Sequence, residues 1–236
     1  PLGCGDAPQA FNAAVCMTDI DALPEVIPVF PLAGAVLLPR GVMPLNIFEP
    51  RYLKMVRDAV AGTKLIGMVQ PRLAKTRSTQ PPALFDIGCV GRITEFEETD
   101  DGRLLIELTG LRRFKVAREI DVVTPYRQIV ADYDGFDADV AEPVAVNAAA
   151  RAALEETLRT YLDANGLSAD WEAVTGADDE SLVITLAAVC PFEPVEKQAL
   201  LEAPDLPSRA ATLTALMTFA QGFGGAGRSD DGPVVQ

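Results

Sequence analysis

The sequence contains no histidine. An imidazole accepts the nucleophile's proton in Ser-His-Asp and Cys-His sites, and an HExxH metal site needs two of them. The chain also has no GxSxG nucleophile elbow and no GxxxxGK[ST] phosphate loop. We therefore predict that it is not an enzyme and assign it no catalytic residue and no cofactor. Composition leaves one arrangement open, a Ser-Lys pair drawn from scattered serines and lysines.

Cysteine is scarce as well. The four cysteines are Cys4, Cys16, Cys89 and Cys190, and no two of them form a CxxC pair. Without histidine, a zinc site would need all four thiolates from distant positions. We therefore predict no metal and reduced thiols, as in a cytoplasmic protein. No apolar run approaches the roughly 18 residues of a membrane span, and no segment resembles a signal peptide.

The net charge of −14 is unevenly distributed. Residues 24–130 include fifteen basic and twelve acidic side chains, whereas the rest of the chain has five basic and 22 acidic ones. An acidic chain repels a phosphate backbone, so we do not expect nucleic acid as a partner. The basic-rich stretch at 40–77 is consistent either with a surface for acidic peptides or with solvated helix and loop faces.

Short apolar runs separated by turns predict strands in the first half. Pro28 and Pro31 argue against a central strand for the first run and indicate a sheet edge or an irregular entry. The clearest hairpin flanks the Asp-Gly turn at 99–102. The predicted strands are 26–32, 35–38, 42–48, 64–70, 86–98, 103–109, 111–118 and 126–133. Such short strands with one helix indicate a small closed or nearly closed barrel.

Helical periodicity marks one segment of the first half and most of the second. Pro50 suits the first helical position, and Leu53, Val56 and Val60 recur at helical spacing until Gly62. An acidic connector ends at Pro143, after which apolar residues recur at helical spacing. The first predicted helix there has its apolar face at 154–162 and ends near Asn165-Gly166. The others cover 181–189, 194–203 and a stretch capped by Ser208, with the stripe Leu213, Leu216, Met217 and Ala220.

We therefore predict an α+β chain in four parts. These are a flexible leader at 1–23, a β-barrel subdomain at 24–134, a helical subdomain at 143–221 and a disordered tail at 222–236. Met17 is a plausible native start, so residues 1–16 are either non-native or a disordered extension. The leader is excluded from the fold prediction.

Several separated blocks resemble the N-terminal substrate-binding domain of the ATP-dependent protease Lon, which cereblon shares in part. The blocks are 27–59, 65–70, the strand ending DIGCVGRI at 86–93, LTGLRRF at 108–114, and EKQALLE at 196–202 followed by Arg209. They occur in the family's order over about 26–221. The resemblance implies a PUA-like pseudo-barrel with one inserted helix, followed by a helical bundle. It also implies binding of unfolded or degron-bearing polypeptides, and it offers no catalytic residue to transfer.

Candidate binding residues come from the chemistry of two segments. Phe48, Arg51 and Tyr52 lie where a strand meets a helix, and Arg112 and Arg113 lie at a strand entry. An exposed aromatic ring beside an arginine suits peptide side chains and carboxylates. The structural alternative is that the aromatic rings pack the seam between barrel and helix while the arginines pair with nearby acids.

The leading hypothesis is a non-catalytic, cytoplasmic module that binds unfolded polypeptide or one protein partner. A second hypothesis is an adaptor or regulator of a separate protease or chaperone, docked through the loop at 71–82 and the acidic helical half. A third is an ATP-independent peptidase built on an unrecognised Ser-Lys pair. Some PUA-like proteins bind RNA, but the acidic balance and the lack of a basic, aromatic strand face argue against that role.

Overall fold

The computed structural model describes residues 23–72 and 81–224. Nearly all of the predicted leader, most of the loop at 71–82 and the tail beyond 224 lie outside these residues. The strands are β1 (Val26–Pro31), β2 (Val42–Ile47), β3 (Leu65–Val69), β4 (Ile87–Glu98), β5 (Leu104–Ile120) and β6 (Gln128–Asp132). The helices are α1 (Pro50–Ala61), α2 (Ala148–Ala164), α3 (Trp171–Gly176), α4 (Asp179–Val189), α5 (Pro194–Glu202) and α6 (Leu206–Gly224).

The strands form one mixed six-stranded sheet in the order β2-β5-β4-β3-β1-β6. Only β1 and β3 pair in parallel; the other pairs are antiparallel. The sheet curls because β6 pairs with β1 on one side and with the distal half of β5 on the other. Strand β2 stays outside that circuit as an edge. The α+β prediction is confirmed, and the sheet is a pseudo-barrel and not a closed barrel.

The first predicted strand is not at an edge, which is a correction to the prediction. Strand β1 lies between β3 and β6, and it accommodates its two prolines by changing partner, since 26–28 pair with β6 and 29–31 with β3.

Two other predicted strands differ from the structure. The segment 35–38 has no regular structure, although Val36, Leu37 and Leu38 are buried. The predicted strands at 103–109 and 111–118 are one continuous strand, β5, which passes through Gly110. A Cβ at that position would overlap the Leu38 carbonyl oxygen and lie 2.9 Å from the carbonyl carbon. Gly110 therefore lets the irregular segment cross directly over the sheet.

Local capping explains where the helices begin. Pro50 and Pro194 occupy first-turn positions of α1 and α5, and α5 has a reciprocal Glu193–Glu196 capping box. Ser208 is not the cap of the last helix, which is a correction to the prediction. Helix α6 begins at Leu206, and the Asp205 carboxylate accepts from the Ser208 amide at 2.8 Å. No helix in the described part of the chain is long and apolar enough to cross a membrane.

Helix α1 buries a face one residue away from the predicted one. Tyr52, Met55, Val56 and Ala59 are buried, whereas the predicted Leu53 and Val60 are only half-buried. The buried set follows the same helical spacing, and it faces the sheet beside β1 and β3.

The hydrophobic core is continuous across the predicted boundary at Pro143. Side chains of the sheet and α1 pack in one cluster with those of α2, α4, α5 and α6. A second cluster, centred on Phe114, fills the inside of the pseudo-barrel. The two halves therefore share one core. The boundary at 143 was inferred from a change in charge and periodicity along the sequence, and it stays a prediction.

Candidate binding site

Strand β2 presents one free side. It pairs antiparallel with β5 along its whole length, and no other strand pairs with it within the described residues. Pro44, opposite Glu107, has no N–H to give to β5, so theirs is a non-hydrogen-bonded pair. Residues two apart in a strand share an orientation. The backbone N–H and C=O groups of Val42 and Asn46 therefore also point away from β5, towards the free side.

A cleft of about 240 Å³ lies between β2 and the helical half. Met43 and Leu45 line it from the strand, and Ile184 and Ala188 line it from α4. Among the described residues of the lining, Lys197 of α5 carries the charge, and its ammonium donates to the Ala188 carbonyl at 3.0 Å. Burial lowers the pKa of Lys197. We call this concavity the apolar cleft.

The other face of β2 continues into a shallow groove across β5 and β4. Glu95, Glu97 and Glu107 line it, and Glu95 lies directly opposite Glu107 in the β4–β5 ladder. None of the three pairs with a cation among the described residues, nor does any acidic cluster there have the geometry of a metal site. Like charges directly opposite each other destabilise a ladder. This acidic groove would therefore favour a cationic ligand.

Phe48 and Arg51 lie at the surface just beyond the end of β2. The Phe48 side chain is 65% exposed. The Arg51 guanidinium donates to the Glu49 carboxylate at 2.9 Å and lies 4.5 Å above the Tyr52 ring. Tyr52 itself is buried against Phe30, with ring centroids 4.2 Å apart, and burial raises its pKa. Phe48 and Arg51 are thus accessible to a ligand, whereas Tyr52 packs in the core.

Arg112 is bound to the segment that follows β6. Its guanidinium donates to the Tyr133 carbonyl at 3.0 Å and to the exposed Asp137 carboxylate at 2.6 Å. The side chain is partly buried, and one end of it is therefore already engaged within the fold.

Arg113 is buried and joins the sheet to the helices. Its guanidinium forms a paired contact with Asp139, at 2.8 and 3.0 Å. It also donates to the carbonyls of Leu201, Ala203 and Pro204, where α5 ends. These bonds match the structural alternative considered for this residue. A role of Arg112 and Arg113 in binding stays a prediction.

The sequence prediction included Phe48 and Arg51 as candidates but did not include the strand beside them. The backbone groups of Val42 and Asn46 and the carboxylates of Glu95 and Glu107 were not candidates. One signal was present, because a proline in the middle of a strand is typical of a sheet edge and Pro44 occupies that position in β2. The signal is not decisive, since β1 also contains a proline and lies between two strands.

Comparison with protein families identifies a match over most of the chain. The family model for the ATP-dependent protease La (LON) substrate-binding domain matches residues 26–218. Lon protease 2 of Myxococcus xanthus is 26% identical over 219 residues, which cover 90% of this chain and 26% of that protein. Lon protease of Anaeromyxobacter dehalogenans is 28% identical over 199 residues, covering 83% and 23%. The chain therefore spans about a quarter of the length of these relatives.

Two solved structures have the same fold. A Lon N-terminal domain protein from Xanthomonas campestris aligns with a TM-score of 0.57 at 24% identity, covering 80% of this chain and 97% of that one. The N-terminal domain of Mycobacterium avium complex Lon protease aligns with a TM-score of 0.57 at 16% identity, covering 82% and 98%. With the family match over 26–218, the conclusion is that this chain belongs to the LON substrate-binding domain family.

Proposed function

We propose that this domain binds extended or unfolded segments of other polypeptides and contributes no catalytic group of its own. The observation that carries the proposal is the free side of β2, which lies between the apolar cleft and the acidic groove. A polypeptide segment could contact a strand edge and two concave surfaces there at once. Membership of a substrate-binding family supports the same role.

Phe48 and Arg51 would extend this site at the end of β2. Exposed aromatic and arginine side chains contribute strongly to protein–protein binding, because each buries a large surface with few rotatable bonds or forms paired hydrogen bonds. The carboxylate partner of Arg51 is Glu49, and that contact is exposed, so a ligand carboxylate can replace it at low cost while the guanidinium stays above the Tyr52 ring.

A protease would act on the bound segment. The relatives named Lon protease continue for about three quarters of their length outside the region matched by this chain. That difference supports a protease partner, whether joined to this domain or supplied by another chain. Cys89 and Cys190 are free thiols, which is consistent with a reducing compartment such as the cytoplasm.

Replacing Phe48 with alanine is expected to weaken binding of unfolded polypeptide about tenfold, as expected for loss of an aromatic contact. The measurement is fluorescence anisotropy of a labelled, permanently unfolded polypeptide titrated with protein in the absence of nucleotide. A gel of the same samples tests for new fragments, which we do not expect.

Phe219→Ala provides the matched control, since Phe219 is 59% exposed and lies on α6. That variant should bind as the unsubstituted protein does. Absence of saturable binding by the unsubstituted protein would overturn the proposed function. Equal affinities of the Phe48 and Phe219 variants would remove Phe48 from the site.

A further inference from the structure

The free side of β2 has a defined pattern of hydrogen-bonding groups. Val42 and Asn46 each direct one N–H and one C=O outwards, whereas Pro44 between them offers only its C=O. A second strand placed antiparallel alongside β2 would therefore meet two donors and three acceptors. An extended peptide can satisfy all of them, which is the geometry of binding by strand addition.

Side chains of an added strand would alternate between two different environments. Residues opposite Val42, Pro44 and Asn46 would point to the face of the acidic groove, because directly paired residues share a face. Adjacent strands are about 4.8 Å apart, so a residue opposite Pro44 lies about 10 Å from Glu107 across β2. A lysine or arginine side chain can reach that carboxylate, whereas a short side chain cannot.

The alternate residues would point to the apolar cleft. Met43, Leu45, Ile184 and Ala188 line it. The buried ammonium of Lys197 would repel a cationic side chain there, and no carboxylate pairs with it among the described residues. An apolar side chain is therefore the best fit on this face, and a basic side chain fits only the other one.

We propose that β2 binds an extended segment as an added antiparallel strand, and that the preferred segment alternates basic and apolar residues. The basic side chains contact Glu107, and the apolar side chains enter the apolar cleft. Glu95 lies one strand further on, opposite Glu107, and adds to the negative potential of the groove. This inference rests on the proposed function and specifies the class of segment that it selects.

A peptide with blocked ends and the sequence Val-Lys-Val-Lys-Val-Lys-Val tests the side-chain preference. Labelled peptide should bind saturably, and replacing its three lysines with glutamates should weaken binding at least tenfold. The protein variant carrying Glu95→Gln and Glu107→Gln should bind the two peptides with affinities within about threefold of each other.

The matched control removes two negative charges that lie outside the acidic groove. Glu156 and Glu172 are exposed on α2 and α3. Their double glutamine variant should keep the preference for lysine. Because the whole chain is acidic, an equal loss of preference in both double variants would mean that net charge attracts the peptide. That outcome would overturn the role of the acidic groove.

Backbone N-methylation tests the register independently of charge. In the proposed pairing, the lysine amides face β2 and the valine amides face outwards. Methylating the three lysine nitrogens should abolish binding, whereas methylating three valine nitrogens should change it less than threefold. The reverse result, or equal effects, would overturn antiparallel strand addition.

Amide hydrogen exchange locates the contact on the protein. The Val42 and Asn46 amides should exchange rapidly in the free protein and become protected at least tenfold when peptide is bound. Protection already present in the free protein would mean that another strand occupies the edge, and would overturn the inference. If the protein binds unfolded polypeptide but shows neither the lysine preference nor the N-methylation pattern nor the amide protection, the proposed function stands and strand addition at β2 is refuted. If the protein binds neither unfolded polypeptide nor the test peptide, the proposed function and strand addition are both refuted.

Discussion

Replacing Asp139 with alanine is expected to lower the free energy of unfolding by about 3–5 kcal/mol, the range typical of a buried ion pair that loses one partner. Asp139 is 4% exposed and Arg113 2% exposed. The carboxylate accepts from both the backbone amide and the guanidinium of Arg113. Without it, the buried guanidinium has no carboxylate partner.

The guanidinium cannot easily turn out to solvent, because it also holds the end of α5. Its bonds to the carbonyls of Leu201, Ala203 and Pro204 satisfy groups that the helix leaves unpaired. Arg209 lies beside it and donates to the Leu200 carbonyl at 2.9 Å. Burial and the neighbouring Arg113 charge lower the pKa of Arg209 to about 10. Asp139 is thus the carboxylate that offsets two neighbouring buried cations.

Chemical denaturation of Asp139→Ala and Asp137→Ala measures this effect with an internal comparison. Asp137 lies two residues away and pairs with Arg112, but its side chain is 87% exposed. An exposed pair contributes about 0–1 kcal/mol. If the two variants were equally stable, the buried pair would not be a principal link between sheet and helices. Adding Arg113→Met to Asp139→Ala removes the unpaired buried charge. We expect this double variant to regain only part of the lost free energy of unfolding, because the carbonyls at the end of α5 would then lack the Arg113 donor.

Replacing Gly110 with alanine is expected to cost about 3 kcal/mol, at the upper end of the range for overpacking. The new methyl group would overlap the Leu38 carbonyl oxygen, which is backbone and cannot rotate away. Segment 38–41 would have to move, although the Arg40 amide donates to Gly110 and the Gly110 amide donates to Gly41, both at 2.8 Å. Leu38 and Gly41 line the apolar cleft, so peptide binding should weaken as well.

Gly176→Ala is the control for the Gly110 substitution. A Cβ at Gly176 would meet no atom within 4 Å, and the residue ends α3. That variant should be neutral or slightly stabilised, as alanine has the higher helix propensity. Urea denaturation of both variants measures the difference. If Gly110→Ala lowers the free energy of unfolding no more than Gly176→Ala does, the close crossing of segment 38–41 over β5 would be contradicted.

Local features of the fold were predictable from the sequence, and features that depend on distant segments were not. The Asp-Gly turn predicted the β4–β5 hairpin, and Pro50 and Pro194 start α1 and α5. The partner of Arg113 lies 26 residues away and its other acceptors about 90, so no local pattern indicates them. The continuity of β5 through Gly110 likewise depends on Leu38, which lies in another segment.

The candidate binding site was likewise predictable from the sequence only in part. Side-chain chemistry at the junction of β2 and α1 was sufficient to propose Phe48 and Arg51. It could not distinguish them from Tyr52, because exposure depends on which face of α1 meets the sheet. The edge position of β2 follows from the order of all six strands, and only Pro44 gave a local indication of it.

Pro44 in β2 also affects self-association of this protein through its strand edge. Exposed strand edges promote fibril growth, because identical edges pair with one another. Two β2 strands pairing about their centres would bring Pro44 against Pro44, where neither backbone offers a donor. The same pairing would bring together two acidic grooves, each containing Glu95, Glu97 and Glu107. An edge that can bind a foreign basic strand is therefore protected against self-assembly by the residues that would select its ligand.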